Sequence, residues 1–177
     1  MTTLIPMLCS YQQWANNALF DRIERLDPAA QGEELQACLR LINHAYVVAR
    51  IFAAHLTGTA HGYRSDTTEE TPALGDLRAA FAASDRWYVD YAAARSAGEL
   101  AESVSFAFTD GDRGAMTRAE MLVHVVVHAC YHRAEAGRIL AAASVAPPWD
   151  TLAVYLHQQE PARRAQPALS AAARRPA

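Results

Sequence analysis

The 177-residue chain contains no lysine, so all 16 of its basic residues are arginine. Its formal net charge of -3 at pH 7 gives no basic surface of the kind that binds nucleic acid. It has no uninterrupted apolar run of about eighteen residues, and its first residues lack the basic region and apolar core of a signal peptide. We therefore expect a cytoplasmic protein with neither a nucleic-acid nor a membrane partner.

Cysteine is also scarce. The chain has three cysteines, Cys9, Cys38 and Cys130, and no CxxC pair. This odd set does not predict a disulfide framework and is typical of a reducing compartment. Cys130 lies among histidines, but it is about 200° from His128 around a helix. We expect it to face away from them, and all three cysteines to be small packing residues.

The length and the apolar periodicity predict one all-α domain. A chain of 177 residues can form one substantial core but not two of ordinary size. The predicted helices span residues 4–26, 33–56, 72–97 and about 117–143, with Gly98 closing the third. A polar stretch over residues 59–71 predicts a long connection between the second and third helices. The pattern is typical of a four-helix bundle.

A different pattern precedes the fourth helix. Apolar and small residues alternate around Asp110-Gly111, which predicts a short β-hairpin between the third and fourth helices. Thr117 and Glu120 match a capping box at the start of the fourth helix. We expect the bundle to occupy residues 1–158, with a short ordered piece near its end. Residues 159–177 are rich in alanine, proline and arginine and predict a disordered tail.

Three histidines recur every four residues in the predicted fourth helix: His124, His128 and His132. Residues four apart share a helix face, with Cβ atoms about 6 Å apart, so two such imidazoles can bind one cation. His124 and His132 are about 12 Å apart along the axis, too far to share an ion. The spacing therefore predicts one pair, either His124 with His128 or His128 with His132.

A third ligand must come from another part of the chain, where His44, His55, His61 and His157 are available. We rank His44 first, because apolar residues flank it in a helical run, and His55 second. Three histidines with an open fourth position are typical of catalytic zinc sites, and imidazole also suits nickel, iron and manganese. The alternative is that each histidine is an ordinary polar residue with its own hydrogen-bond partner.

Glu135 follows His132 by three residues and shares its helix face. It could orient a ligand imidazole, act as a general base on a metal-activated water, or be a fourth ligand. The simpler interpretation is an ion pair with Arg133 or Arg138 at the edge of the bundle.

Several segments form an ordered combination that is more specific than the histidine spacing. They are Tyr11-Gln12-Gln13-Trp14-Ala15-Asn16, Asn43-His44, Arg50-Ile51-Phe52, Asp110-Gly111, the run from His124 to Arg133, and Tyr155-Leu156. Together they resemble the DinB family of damage-inducible metalloproteins, which is unrelated to the polymerase of the same name. The resemblance implies a four-helix bundle in which His44, His128 and His132 bind one metal ion and His124 does not.

The resemblance also implies a function. Members of the family are frequently homodimers, and related bundles include metal-dependent transferases of small thiols such as bacillithiol or mycothiol, and a maleylpyruvate isomerase. We therefore expect a thiol S-transferase that acts on a small electrophile, with zinc or nickel, or else iron or manganese, activating the thiol. The alternatives are a metal-dependent hydrolase and a non-catalytic metal-binding dimer. Ala134-Glu135 replaces the common Gly-Gln of the family, which adds negative charge near the metal.

Overall fold

The computed structural model describes residues 4–162. Six helices and one two-stranded sheet follow one another in that range. They are α1 (Leu4–Ile23), α2 (Gly32–Thr57), α3 (Leu74–Ala93), α4 (Ala97–Leu100), β1 (Ser103–Ala107), β2 (Arg113–Thr117), α5 (Arg118–Ala142) and α6 (Leu152–Gln159). The predicted disordered tail lies outside the described residues from 163 onward.

The four long helices form a ring of neighbours. Helix α2 packs most extensively against α5, and α1 against α3, while contacts of α1 with α5 and of α2 with α3 complete the ring. The antiparallel hairpin of β1 and β2 lies between α3 and α5 in the chain, and a long connection joins α2 to α3. The predicted all-α bundle with its hairpin and long connection is confirmed.

Two predicted helix ends are wrong. Helix α1 ends at Ile23, three residues before the predicted Leu26, and α3 ends at Ala93 instead of near Ala97. Gly98 does not close α3 but lies inside the separate helical turn α4. Ser96 and Glu99 form a capping box that starts this turn, because each side chain bonds the other residue's main-chain N–H.

The start of α5 is fixed by short-range and long-range bonds. The Thr117 hydroxyl accepts a bond from the Glu120 N–H at 3.1 Å, and the Thr117 N–H donates to Glu120 Oε2 at 2.7 Å. This predicted capping box is confirmed, and such caps contribute about 1 kcal/mol. The Arg118 guanidinium donates to Tyr91 Oη on α3 at 2.8 Å and to the Leu56 carbonyl on α2. Helix α5 therefore begins at a fixed place relative to α2 and α3.

The buried apolar residues form two main clusters along the bundle. One contains Phe52, Tyr88 and Met121 and includes Phe106 of the hairpin. The other contains Phe20, Leu39, Phe81 and Leu140 at the opposite end. On α5, His128 and His132 lie between Val125 of the first cluster and Ala136 of the second. The middle of the α2 and α5 interface is therefore where polar side chains meet.

Helix α2 is apolar on most of its surface. By length and composition it could cross a membrane, since one 18-residue window has a mean hydropathy of 1.2. Counting uninterrupted apolar residues did not reveal this, because charged residues interrupt the helix. In the bundle, 56% of that window is buried, and its apolar side chains pack against the neighbouring helices.

Candidate metal centre

Three histidines from two helices converge where α2 packs against α5. His44 Nε2 lies 3.1 Å from His128 Nε2, and His132 Nε2 lies 3.3 Å from the same atom. One ring nitrogen from each of the three histidines lies within 4.8 Å of the corresponding nitrogens of the other two. His128 and His132 are one helical turn apart, so both rings reach the same side of α5.

The hydrogen bonds of Nδ1 in His44 and His132 determine whether Nε2 of the same ring is a donor or an acceptor. His44 Nδ1 lies 2.9 Å from the Asp66 carbonyl oxygen, and His132 Nδ1 lies 2.8 Å from Glu135 Oε2. Because both partners are acceptors, we assign the N–H of each neutral ring to Nδ1. Nε2 of His44 and of His132 then carries a lone pair, and both lone pairs are directed toward His128 Nε2. A neutral His128 has at most one N–H to place between them.

The geometry fits a metal ion. Zinc binds imidazole nitrogen at about 2.0–2.1 Å, so two ligands of a tetrahedral ion lie about 3.3–3.4 Å apart. The Nε2 separations of 3.1 Å and 3.3 Å are close to this value. Three histidines leave the fourth position of a tetrahedron open. The donor set alone does not discriminate among zinc, nickel, iron and manganese.

The surroundings of His128 also favour its neutral form, which is the form that binds a metal ion. Burial, and then the neighbouring rings of His132 and His44, lower the pKa of His128 to about 4. Burial opposes a charged ring in an apolar surrounding, and the adjacent imidazoles oppose a second positive charge. His128 is therefore neutral at pH 7, as a metal ligand must be.

The remaining histidines lie outside the converging group. The His124 ring stacks on His128 with a centroid distance of 5.5 Å and on Phe52 at 4.5 Å. His55 packs against His61 at 5.3 Å, and His157 lies on α6. Of the two pairs left open by the spacing, the geometry favours His128 with His132. The structure thus brings together the set that the family resemblance implied, and metal binding by it stays a prediction.

Glu135 contacts a member of this set. Its carboxylate accepts a bond from His132 Nδ1. Among the described side chains, His132 is also the residue with which Glu135 forms an ion pair. Arg133, one of the two partners expected from the sequence, instead donates from Nε to Asp150 at 2.6 Å. Of the roles considered for Glu135, the contact supports orientation of a ligand ring.

The sequence did not indicate the partner of His44. Asp66 belongs to the long connection between α2 and α3, and its main-chain oxygen accepts the His44 bond. The preceding residue, Asn43, is buried and donates to Thr68 Oγ1 at 2.7 Å in the same connection. Two adjacent polar residues, Asn43 and His44, flanked by apolar residues in the middle of α2, were the available signal that this connection covers α2.

A second buried polar cluster was also missed. Arg133 Nη1 donates to Asn16 Oδ1 at 3.0 Å, and Asn16 Nδ2 donates to the Asp85 carboxylate at 2.8 Å. Asp150 accepts bonds from Arg133 and from the Tyr11 hydroxyl. Burial raises the pKa of Asp85 to about 6. These residues form the Arg133 network, which ties α1, α3 and α5 to the segment before α6.

The cysteines are free thiols and do not join the histidines. Burial raises the pKa of Cys9 to about 12 and that of Cys38 to about 11, so both stay protonated and unreactive. Cys130 lines a separate cavity with Arg133 and Trp149. The expectation that Cys130 faces away from the histidine row agrees with this position.

The sequence pattern of the DinB family matches residues 1–166. The chain belongs to the DinB family. No curated protein and no solved structure matches the chain. This DinB family member therefore has a cluster of His44, His128 and His132 that could hold a metal ion, and its reaction has to be inferred from the site.

Proposed function

We propose that this DinB family member is a cytoplasmic, metal-dependent thiol S-transferase that acts on a small electrophile. The convergence of the three Nε2 atoms of His44, His128 and His132 is the observation that carries the proposal. A cavity of about 400 Å³ adjoins His44 and His128, which gives a small molecule access to the site. Zinc and nickel are the ions that we expect there first.

His44, His128 and His132 would hold a divalent ion, which when bound would supply Lewis acidity that lowers the pKa of a thiol. The protein's contribution is to hold the rings. Asp66 and Glu135 accept the outer N–H groups of His44 and His132, so the lone pairs of both rings stay directed inward. Apolar side chains such as Val48 and Phe52 line the adjoining cavity and limit competition by water.

The position of Glu135 favours transfer of a thiol to an electrophile over hydrolysis as the proposed reaction. A general base must reach the proton that it removes. The Glu135 carboxylate instead accepts a bond from the outer nitrogen of His132, on the ring atom opposite the converging Nε2. It therefore orients a ligand, and hydrolysis with Glu135 as base has no supporting contact.

We also propose that the protein is a homodimer formed through α5. Val123, Val127 and Tyr131 are spaced by four residues and are 38%, 62% and 64% exposed. An apolar stripe on one helix can pair with its own copy about a twofold axis. Val127→Glu should shift the sedimentation coefficient to that of a monomer, whereas Arg138→Glu, at an exposed position further along α5, should not. A wild-type protein that sediments as a monomer would reject this part of the proposal.

The test of the main proposal is turnover with and without metal. Untagged protein is stripped, reloaded with zinc or nickel, and mixed with several small thiols and a chloronitrobenzene electrophile. We expect thioether formation with release of chloride and a proton, which requires the metal and is lost in His128→Ala. It should be retained in His157→Ala, at a histidine of α6 outside the converging group. Absence of metal-dependent turnover with every thiol would reject the transferase. A metal-dependent rise in melting temperature in that case would leave a non-catalytic metal-binding bundle.

A further inference from the structure

The cavity beside the three histidines has an inner and an outer end. His44 and His128 line its inner end, and Phe106, Phe108 and Asp110 of the hairpin region line the outer end. Its volume of about 400 Å³ is near the lower limit of ligand pockets, so it suits a molecule with one small ring. A bound molecule would therefore reach from the histidines to the hairpin.

Aromatic rings form a continuous wall along this path. The ring centroids of Phe108 and Phe106 are 5.0 Å apart, those of Phe106 and Phe52 are 5.8 Å apart, and those of Phe52 and His124 are 4.5 Å apart. Phe108 is 49% exposed although it is a large apolar side chain. Such a wall favours the face of another aromatic ring, or a cation, over an anion.

The hairpin is built around one of these rings. Phe106 pairs with Gly114 in the β1 and β2 register. A Cβ atom at position 114 would lie 2.8 Å from Phe106 Cζ, so the ring occupies the space that any other residue's side chain would need. The absence of a side chain at Gly114 therefore lets Phe106 lie flat across the sheet and extend the aromatic wall.

The charges that line the cavity are negative. Asp66 and Asp110 contribute carboxylates, and no arginine is among the described residues that line the cavity. The chain also has no lysine. A carboxylate at the outer end of a ligand would gain no cationic partner from the cavity and would be repelled by Asp110. A neutral or positively charged group would meet neither penalty.

We propose that this cavity selects substrates whose outer part is an uncharged or cationic aromatic ring and rejects those with an outer carboxylate. The inference rests on the proposed function for the assignment of the three histidines as the metal end of the cavity. It adds the substrate class that the aromatic wall and the two aspartates define.

The test uses the cobalt-loaded protein and two series of aromatic ligands, benzohydroxamates and phenylmethanethiols. Each series carries a para methyl, aminomethyl or carboxylate group, so the metal-binding group stays constant while the outer charge changes. The visible absorption of cobalt reports binding without any turnover. We expect the methyl and aminomethyl compounds to bind at least about tenfold more tightly than the carboxylates in both series.

Substitutions in the cavity test which residues cause this selection among ligands. Phe108→Ala should weaken the methyl compounds about fivefold, since one face of the aromatic wall is lost. Trp149→Ala, at another exposed aromatic residue that lies outside this cavity, is the matched control and should leave all affinities unchanged. Asp110→Asn should improve the carboxylates about threefold and leave the methyl compounds unchanged.

The two series separate this inference from the proposed function. Equal affinities for the three para groups in both series would overturn the cavity inference and leave thiol transfer intact. Charge selection among the hydroxamates without binding of any thiol would support the inference and reject the transferase. Failure of both series to bind the cobalt protein would overturn the inference as well.

Discussion

His132 and Arg133 are neighbours on α5, but they belong to polar clusters of opposite kinds. In the Arg133 network, donors meet acceptors: the guanidinium contacts Asp150 and Asn16, and Asn16 contacts Asp85. At the three histidines, the lone pairs of His44 and His132 are directed toward His128, whose single N–H can meet only one of them. The first cluster pairs its buried charge with carboxylates of the protein, whereas the second leaves acceptors that a cation could bind. Burial and polarity alone do not distinguish a structural network from a ligand site, but the direction of the donors does.

The comparison predicts different consequences for the loss of each residue. Arg133 is 4% exposed and balances nearby carboxylates, so its loss affects folding. The histidines contribute little to folding without a metal, so their loss affects binding. The following variants test this division, in order of the expected effect.

Arg133→Met should lower the free energy of unfolding by about 3–5 kcal/mol, because it leaves Asp150 without its buried partner. Urea denaturation of the metal-free protein measures the change. Arg138→Met, at an exposed position on the same helix, is the matched control and should change stability by less than about 0.5 kcal/mol. Equal effects of the two variants would show that the network does not stabilise the fold.

His128→Ala should reduce metal affinity by at least about 100-fold, because His128 lies between the other two ligands. Competition with a chromophoric chelator measures the affinity. The free energy of unfolding of the metal-free variant should change by no more than about 1 kcal/mol, because the ring removed is only partly buried. His124→Ala is the control that keeps all three ligands. Weaker metal binding in His124→Ala but not in His128→Ala would show that His124, and not His128, is a metal ligand.

Asp85 should add a pH-dependent contribution to the free energy of unfolding. Its pKa is raised by burial to about 6 in the folded state, above the usual 3.8, so the folded state binds more protons between these values. Its contribution to stability is therefore greatest below about pH 4 and is lost as the pH rises through 6, by about 2–3 kcal/mol in total.

Urea denaturation at several pH values should show this contribution as a difference between two proteins. His128, whose pKa is lowered to about 4, adds a contribution that rises with pH to the wild type and to Asp85→Asn alike. Because only the wild type also has the opposing Asp85 contribution, its stability should rise with pH less steeply than that of Asp85→Asn between about pH 4 and 6, and the wild type should have the shallower slope. Asp90→Asn, an exposed position on the same helix, should keep it. Equal slopes in Asp85→Asn and in the wild type would show that Asp85 does not contribute to the pH dependence.

Glu135→Gln should weaken metal binding about tenfold, because the neutral amide orients His132 less firmly and raises its basicity less. Asp66→Asn should change affinity less than about threefold, since the main-chain oxygen that contacts His44 remains. The chelator competition described for His128 measures both. A larger effect of Asp66→Asn would mean that its carboxylate, 3.6 Å from His44 Nδ1, is the functional partner.

The sequence predicted the features of the fold that depend on local patterns of residues. Apolar periodicity identified the long helices, and Thr117 with Glu120 identified the start of α5. The end of α3 was placed too late, because Ser96 and Glu99 were not recognised as the cap of a new turn. Helical spacing could not choose between the two histidine pairs of α5, since both lie on one face.

The parts that were missed depend on long-range packing. Asp85 and Arg133 lie on different helices, and no spacing rule connects them. Asp66 contacts His44 through a main-chain oxygen, which every residue type carries, so its identity gave no signal. Only the folded arrangement of α2 against α5 shows which helical turn lies opposite His44.

Thr117 is both the last residue of β2 and the N-cap of α5, so no spacer separates the hairpin from the helix that bears two of the three converging histidines. One extra amino acid at this junction would rotate every later side chain of α5 by about 100° if the helix kept its register with the cap. An insertion at the hairpin turn could instead be absorbed by the loop. Length variation among relatives with the same site should therefore be tolerated at that tip and excluded at the threonine.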